Sequence, residues 1–163
     1  MHESHGGHGE MSPGMMRRHY LLLGANLFLS TVIMYFVMFT MIWSLGDLFN
    51  NLNTAYMALM MAMPMGVLML LMMGMMYRNR RWNAVLYATF ALIFALSFYA
   101  MRDQSLVGDR QFLRSMIPHH SGAVLMCQRA SIEDPEMRAL CAQIIASQTQ
   151  EIAQMKRMLA THE

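Results

Sequence analysis

Charged residues are scarce in this chain of 163 residues, since only 13% are Asp, Glu, Lys or Arg, against about 25% in soluble domains. Residues 20 to 100 include only four charged side chains, namely Asp47, Arg78, Arg80 and Arg81. A stretch this poor in charge excludes a water-soluble enzyme and a disordered tail. The net charge of only +2 also excludes a nucleic-acid partner, because nucleic-acid binding needs a dense basic face.

Cysteine is scarce as well, and the chain has only Cys127 and Cys141. Two cysteines cannot build a disulfide scaffold, but they can form a single bridge. Outside the membrane a disulfide is favoured, and closing a loop of about 15 residues would stabilise the fold by roughly 3 kcal/mol. The alternatives are that both thiolates bind Cu(I) or that both are small buried side chains.

The chain contains three long runs without a charged residue. They cover residues 20–43, 55–77 and 82–101, and each exceeds or matches the roughly 20 helical residues that cross a bilayer. Lipid offers the backbone no hydrogen-bond partners, so each run should be helical. The sequence therefore predicts an all-α protein with a three-helix membrane domain over residues 20–101.

The arginines predict how these spans are oriented. Arg17 and Arg18 precede the first span, three further arginines lie between the second and third spans, and the connection 44–54 carries only Asp47. Basic short loops stay in the cytoplasm. We therefore expect the inner membrane of a bacterium, with the amino terminus in the cytoplasm and residues 102–163 in the periplasm.

Residues 102–163 have the composition of a soluble domain. Asp109 is expected to cap a helix that ends near residue 131, and Asp134 with Pro135 is expected to start a second helix that ends near residue 160. The predicted domain is a helical hairpin, half of a four-helix bundle. Such a hairpin buries little surface alone, so we expect it to pair with a second copy as a homo-oligomer.

The amino-terminal segment, residues 1–19, is rich in Gly, His and Met and has no apolar face to bury, so it should be disordered. His2, His5 and His8 recur every three residues in it. His-rich tracts bind metals weakly, and chance accounts for this pattern equally well.

The hairpin carries polar residues where apolar ones are expected. On a helical wheel at about 100° per residue, the predicted buried face of the first helix contains His119 and His120, while Ser121 falls on the opposite side. The buried face of the second helix contains Gln148 and Glu151, although an unpaired buried carboxylate is costly.

Folding the hairpin about residues 133–134 brings these polar positions towards each other and towards sulfur atoms. Met116 then faces Glu151, the two histidines approach Gln148, and Cys127 faces Cys141. Thioether sulfur selects Cu(I), and imidazole suits copper in either oxidation state, so the predicted metal is copper, Cu(I) above all, with Ag(I) as its mimic. The predicted metal ligands are Met116, His119, His120, Met126 and Met155, with Gln148 and Glu151 orienting the histidine rings. The alternative is a polar layer that only sets the register of the hairpin.

Two motifs resemble those of the domain-of-unknown-function 305 family in its membrane-attached form. They are the M-x-P-H-H segment at 116–120, followed by Met126, and the Q-x-x-E-I-x-x-M segment at 148–155. The resemblance implies a ferritin-like helical bundle and a link to periplasmic copper binding and copper tolerance. It does not imply an enzymatic activity, and the sequence contains no nucleophile–base arrangement or dinucleotide fingerprint.

Methionine is abundant in the second span, and the chain contains 23 in total. One helical stripe of that span consists of Met61, Met65, Met69, Met72 and Met76. This stripe either conducts Cu(I) or supplies adaptable apolar packing. The sequence thus predicts a membrane-anchored protein that holds or sequesters copper in tolerance or homeostasis, and the alternative is a three-span Cu(I) transporter.

Overall fold

The computed structural model describes residues 13–161, and this part of the chain contains α-helices and short 3-10 turns but no strand. The α-helices are α1 (Pro13–Val37), α2 (Leu52–Met72), α3 (Arg80–Arg102), α4 (Asp109–Arg129) and α5 (Pro135–Thr161). Two 3-10 turns, Met38–Met41 and Leu45–Asp47, lie between α1 and α2. The predicted all-α class, with three long apolar helices followed by a hairpin, is confirmed.

Helices α1, α2 and α3 are long and apolar enough to cross a membrane, over Gly14–Met41, Leu52–Met72 and Arg80–Arg102. Helix α1 begins at Pro13, so residues 13–19, expected to belong to a disordered tail, are helical. His2, His5 and His8 lie outside the described residues. Pro64 lies within α2, as lipid-buried helices allow.

The three long helices pack around a core to which each contributes. Leu23 and Leu27 of α1 meet Leu70 of α2 and Phe90 of α3. The close approach depends on Gly66, because a Cβ atom there would lie 2.9 Å from Cε2 of Phe90 and 3.0 Å from Cδ1 of Leu27. Small residues at such crossings let membrane helices approach closely.

Polar contacts close both ends of this bundle. At one end, the Tyr20 hydroxyl donates to Oδ1 of Asn83 at 2.6 Å. At the other end, the Tyr56 hydroxyl donates to the Ser105 carbonyl oxygen at 2.9 Å. Five arginines lie at the Tyr20–Asn83 end of the bundle, near the start of α1 and the start of α3: Arg17, Arg18, Arg78, Arg80 and Arg81. The hairpin follows the opposite end.

Helices α4 and α5 form the predicted antiparallel hairpin. Asp134 caps α5 as expected, since its Oδ1 accepts from the backbone N–H of Met137 at 2.8 Å. The expected cap at Asp109 is wrong, because Gly108 occupies the N-cap position and Asp109 is the first residue within α4. An acidic residue in that first turn still interacts favourably with the helix dipole.

The hairpin packs on the connection between α1 and α2, residues 38–51. Ser121, predicted to face solvent, is fully buried there, and its Oγ accepts from the backbone N–H of Trp43 at 2.8 Å. Gly122 allows this approach, because a Cβ atom there would lie 3.3 Å from the Met41 carbonyl oxygen. The prediction for Ser121 failed because α4 is buried on two sides, against α5 and against this connection.

Candidate metal site

A cleft of about 280 Å³ lies between α4 and α5. It is lined by Phe112, Leu113, Met116, His120, Glu151, Gln154, Met155 and Met158. Three of the five predicted metal ligands, Met116, His120 and Met155, therefore meet in one place.

The two thioether side chains in this group rest on the apolar interior of the hairpin. Met155 is buried in a cluster with Leu113 and Ile117, and the half-buried Met116 packs against the same cluster. Both thioether side chains therefore contact the tightly packed apolar core of the hairpin. A metal bound to them would be shielded on that side from water.

His120 supplies the nitrogen donor of the cleft. Its Nδ1 atom lies 2.9 Å from Oε2 of Glu151, and this buried nitrogen has no hydrogen-bond partner of good geometry in the described part of the chain. Glu151 is therefore the group that can orient the ring. With the proton on Nδ1 facing the carboxylate, Nε2 keeps the lone pair that a metal needs.

The surroundings of His120 favour its neutral form. Burial lowers the pKa of the His120 imidazole from its ordinary value of 6.5, the Glu151 carboxylate opposes that shift, and His119 adds to it. Desolvation disfavours a charged imidazolium. The ring is therefore ready to ligate a metal at neutral pH without first losing a proton.

The other two predicted ligands lie outside the cleft lining. His119 is exposed, with its ring centroid 5.9 Å from that of His120, and Met126 is 54% exposed. Gln148 is half-buried, and the residue beside His120 is Glu151. A helical wheel that assumes one buried face places both adjacent histidines on that face. Helix α4 has two buried faces, and His119 lies on neither of them, so its side chain is exposed.

Met158 and Gln154 line the cleft and were not predicted. Met158 follows Met155 by three residues and Glu151 by seven, which places all three on one side of α5. This spacing is visible in the sequence. The spacing alone does not show that Met158 belongs to the site, because its side chain is 44% exposed and lies at the rim of the cleft.

The residues of this cleft fit a soft metal. No group of three or more His, Cys, Asp or Glu side chains suited to a metal occurs within residues 13–161, and the side chains that line the cleft with His120 and Glu151 include the thioethers of Met116, Met155 and Met158. Zinc sites use thiolate, imidazole and carboxylate ligands, whereas thioethers select Cu(I). Met116, Met155 and His120 supply two thioethers and one imidazole.

Comparison with known proteins places the hairpin in a family. The family model "Domain of unknown function (DUF305)" matches residues 98–159. An "Uncharacterized protein L153" of Acanthamoeba polyphaga mimivirus is 34% identical over 118 residues, which cover 71% of this chain and 76% of that protein. The chain belongs to the DUF305 family.

The aligned part of the mimivirus protein is longer than the DUF305 match, so the similarity extends beyond the hairpin. No solved structure matches the chain.

The DUF305 hairpin contains a disulfide between Cys127 and Cys141, with their Cα atoms 5.2 Å apart. It joins α4 to the first turns of α5. Both thiols are consumed by this bond, so in this state neither cysteine is available as a thiolate ligand. The bridge closes the end of the hairpin that is far from the cleft.

The predicted methionine stripe of this DUF305 chain is divided between the core of the three-helix bundle and its outer surface. Met65 and Met69 of α2 pack against the core of the three-helix bundle, as does Met76, which lies in the turn after α2 rather than on the predicted helical stripe. Met61 and Met72 face outwards, at 52% and 84% exposure. This arrangement favours the packing interpretation of the methionine stripe.

Proposed function

We propose that this DUF305 chain is a membrane-anchored copper-binding protein that holds Cu(I) in the cleft between α4 and α5, in copper tolerance or homeostasis. The observation that carries the proposal is the convergence of Met116, Met155 and His120 in one cleft, with Glu151 at 2.9 Å from Nδ1 of His120. Two thioethers and an oriented imidazole form a donor set that favours Cu(I).

Isotope-labelled methionine gives a direct test in the full-length protein. Ag(I) should shift the methyl NMR signals of Met116 and Met155 in a protein labelled at the methionine methyl carbons. The signal of Met137, an exposed methionine of α5 outside the cleft, should stay in place. Shifts confined to the methionines of α2 would contradict the proposed site and support the transporter alternative.

We further propose that the hairpin lies in the periplasm, on the inner membrane of a bacterium. Five arginines lie at the end of the bundle opposite the hairpin, whereas a single one, Arg102, ends α3 at the hairpin side, and positive clusters favour the cytoplasmic side. Cysteines introduced at Gly74 and Ser105, in a background without Cys127 and Cys141, test this with an impermeant maleimide on intact cells. Labelling at Ser105 alone is expected, and labelling at Gly74 alone would reverse the orientation.

A second copy of the chain is the proposed partner of the hairpin. Large apolar side chains remain exposed on both of its helices: Phe112, Met126, Met137, Leu140 and Met158. Exposed apolar patches on small helical units mark contact surfaces. Leu140→Glu should shift the protein towards monomers in light scattering if this surface forms the dimer, and an unchanged mass would contradict that assignment.

A further inference from the structure

Asp47 is a buried charge in a connection that otherwise carries none. It lies in the 3-10 turn between α1 and α2 and is only 4% exposed. Oδ2 of Asp47 accepts from the Ser121 hydroxyl at 2.5 Å, and Oδ1 accepts from Nζ of Lys156 at 2.6 Å. Each carboxylate oxygen therefore has one partner, and the partners lie on different helices of the hairpin.

Those contacts fix Asp47 firmly. Hydrogen bonds to a charged group are shorter and stronger than neutral ones, and removing one partner from a buried charge is costly. Ser121 also accepts from the backbone N–H of Trp43, so its hydroxyl has both a donor and an acceptor from the same connection. The connection therefore holds α4 at Ser121 and α5 at Lys156.

Both partners of Asp47 adjoin side chains of the cleft. Ser121 directly follows His120 in α4, and Lys156 directly follows Met155 in α5. Phe49, from the same connection, packs against the buried cluster that contains Met155, and Met116 packs against the same cluster. Loss of the hydrogen bond between Asp47 and Ser121, or between Asp47 and Lys156, would shift the neighbouring cleft residue through the backbone that joins them.

We propose that Asp47 is a positioning residue for the metal site: from the membrane domain, its carboxylate sets the relative placement of His120 on α4 and Met155 on α5. This inference rests on the proposed function for its consequence in metal binding. Its structural half, that Asp47 holds the two helices in place, is testable without metal.

The metal arm of the test measures Cu(I) affinity of the full-length protein by competition with a chelator. Asp47→Asn should weaken binding about 10-fold or more, as typical for residues that orient ligands, while Asp103→Asn, at an exposed acid in the α3–α4 linker, should not. Lys156→Gln should weaken binding as well, and Lys156→Arg, which keeps the charge, should restore most of it.

A double-mutant cycle separates positioning from general destabilisation. If Asp47 acts through His120, Asp47→Asn should have little further effect once His120→Ala is present, because coupled residues are non-additive. The inference would be overturned if Asp47→Asn weakened Cu(I) binding by the same factor with and without His120→Ala. It would also be overturned if the Cu(I) affinity of Asp47→Asn lay within twofold of that of the parent.

The metal-free arm measures the distance between spin labels at Leu45 and Arg157, both exposed. The parent and Asp103→Asn should give a narrow distribution, and Asp47→Asn and Lys156→Gln should broaden it. An unchanged distribution in both variants would overturn the inference whatever the metal result. If the parent binds no Cu(I), the proposed function fails, and this arm alone decides the role of Asp47 in holding the helices.

Discussion

His119 and His120 are adjacent in the sequence but lie in different surroundings. His120 is half-buried in the cleft beside Glu151, whereas His119 is exposed. Of the two rings, the His120 ring is the one that contacts an orienting carboxylate, that of Glu151. Copper binding at the proposed site should therefore depend on the two histidines unequally.

Single substitutions test this inequality. Because His120 is the nitrogen donor, His120→Ala should weaken Cu(I) binding more than Glu151→Gln, for which about 10- to 100-fold is expected of an orienting residue. His119→Ala, the matched control, should bind nearly as the parent does. Competition titrations of the full-length variants measure this, and equal losses for the two alanine variants would contradict the assignment.

The lowered pKa of His120 predicts a pH dependence of stability. The unfolded chain protonates this imidazole near pH 6.5, while the folded chain does so only at lower pH because burial disfavours the charged ring. The folded state therefore loses stability as pH falls below about 6.5. Thermal unfolding of metal-free protein between pH 7.5 and 5.5 should show this loss. The pH slope should diminish in His120→Ala, and an equal slope in that variant would exclude His120 as its source.

At the scale of the helical elements, the disulfide should stabilise the hairpin. Cys127 and Cys141 are 14 residues apart, and closing a loop of about 15 residues is worth roughly 3 kcal/mol. Native protein should resist alkylation until it is reduced, as measured by mass. Replacing both cysteines by serine should lower the thermal midpoint yet leave the cleft able to bind Cu(I), because the bridge lies away from it. Alkylation of unreduced protein would instead indicate free thiols.

The presence and order of the helices were predictable from the charge-free runs and the Asp134–Pro135 start signal, although α1 covers Pro13–Val37 and not the run 20–43. Details that depend on tertiary packing were not. A helical wheel places Ser121 on the solvent face because it assumes one buried face, and α4 has two. The sequence shows Asp47 only as an orientation signal, because no local pattern indicates that its partners lie 74 and 109 residues away.

At the scale of the whole molecule, the arginine cluster at residues 17–18 and 78–81 and the candidate metal donors lie at opposite ends of the three-helix bundle. Five arginines flank the cytoplasmic end that we propose, while Met116, His120 and Met155 lie in the hairpin beyond the other end. The connection 38–51 joins the two parts through Trp43 and Asp47. The membrane domain thus acts as more than a tether, because it packs directly against the helices that carry the cleft.

Removing sulfur without removing volume tests the central claim most directly. Leucine is close to methionine in size, so such swaps usually cost less than about 1.5 kcal/mol in stability. The measurement is Cu(I) affinity of the full-length protein, by chelator competition, in the parent, in Met116→Leu/Met155→Leu, and in Met137→Leu as the control. We predict tight binding by the parent and the control and a loss of about 10-fold or more in the double variant. Equal affinity in all three proteins, or no Cu(I) binding by the parent, would contradict a thioether site in the hairpin.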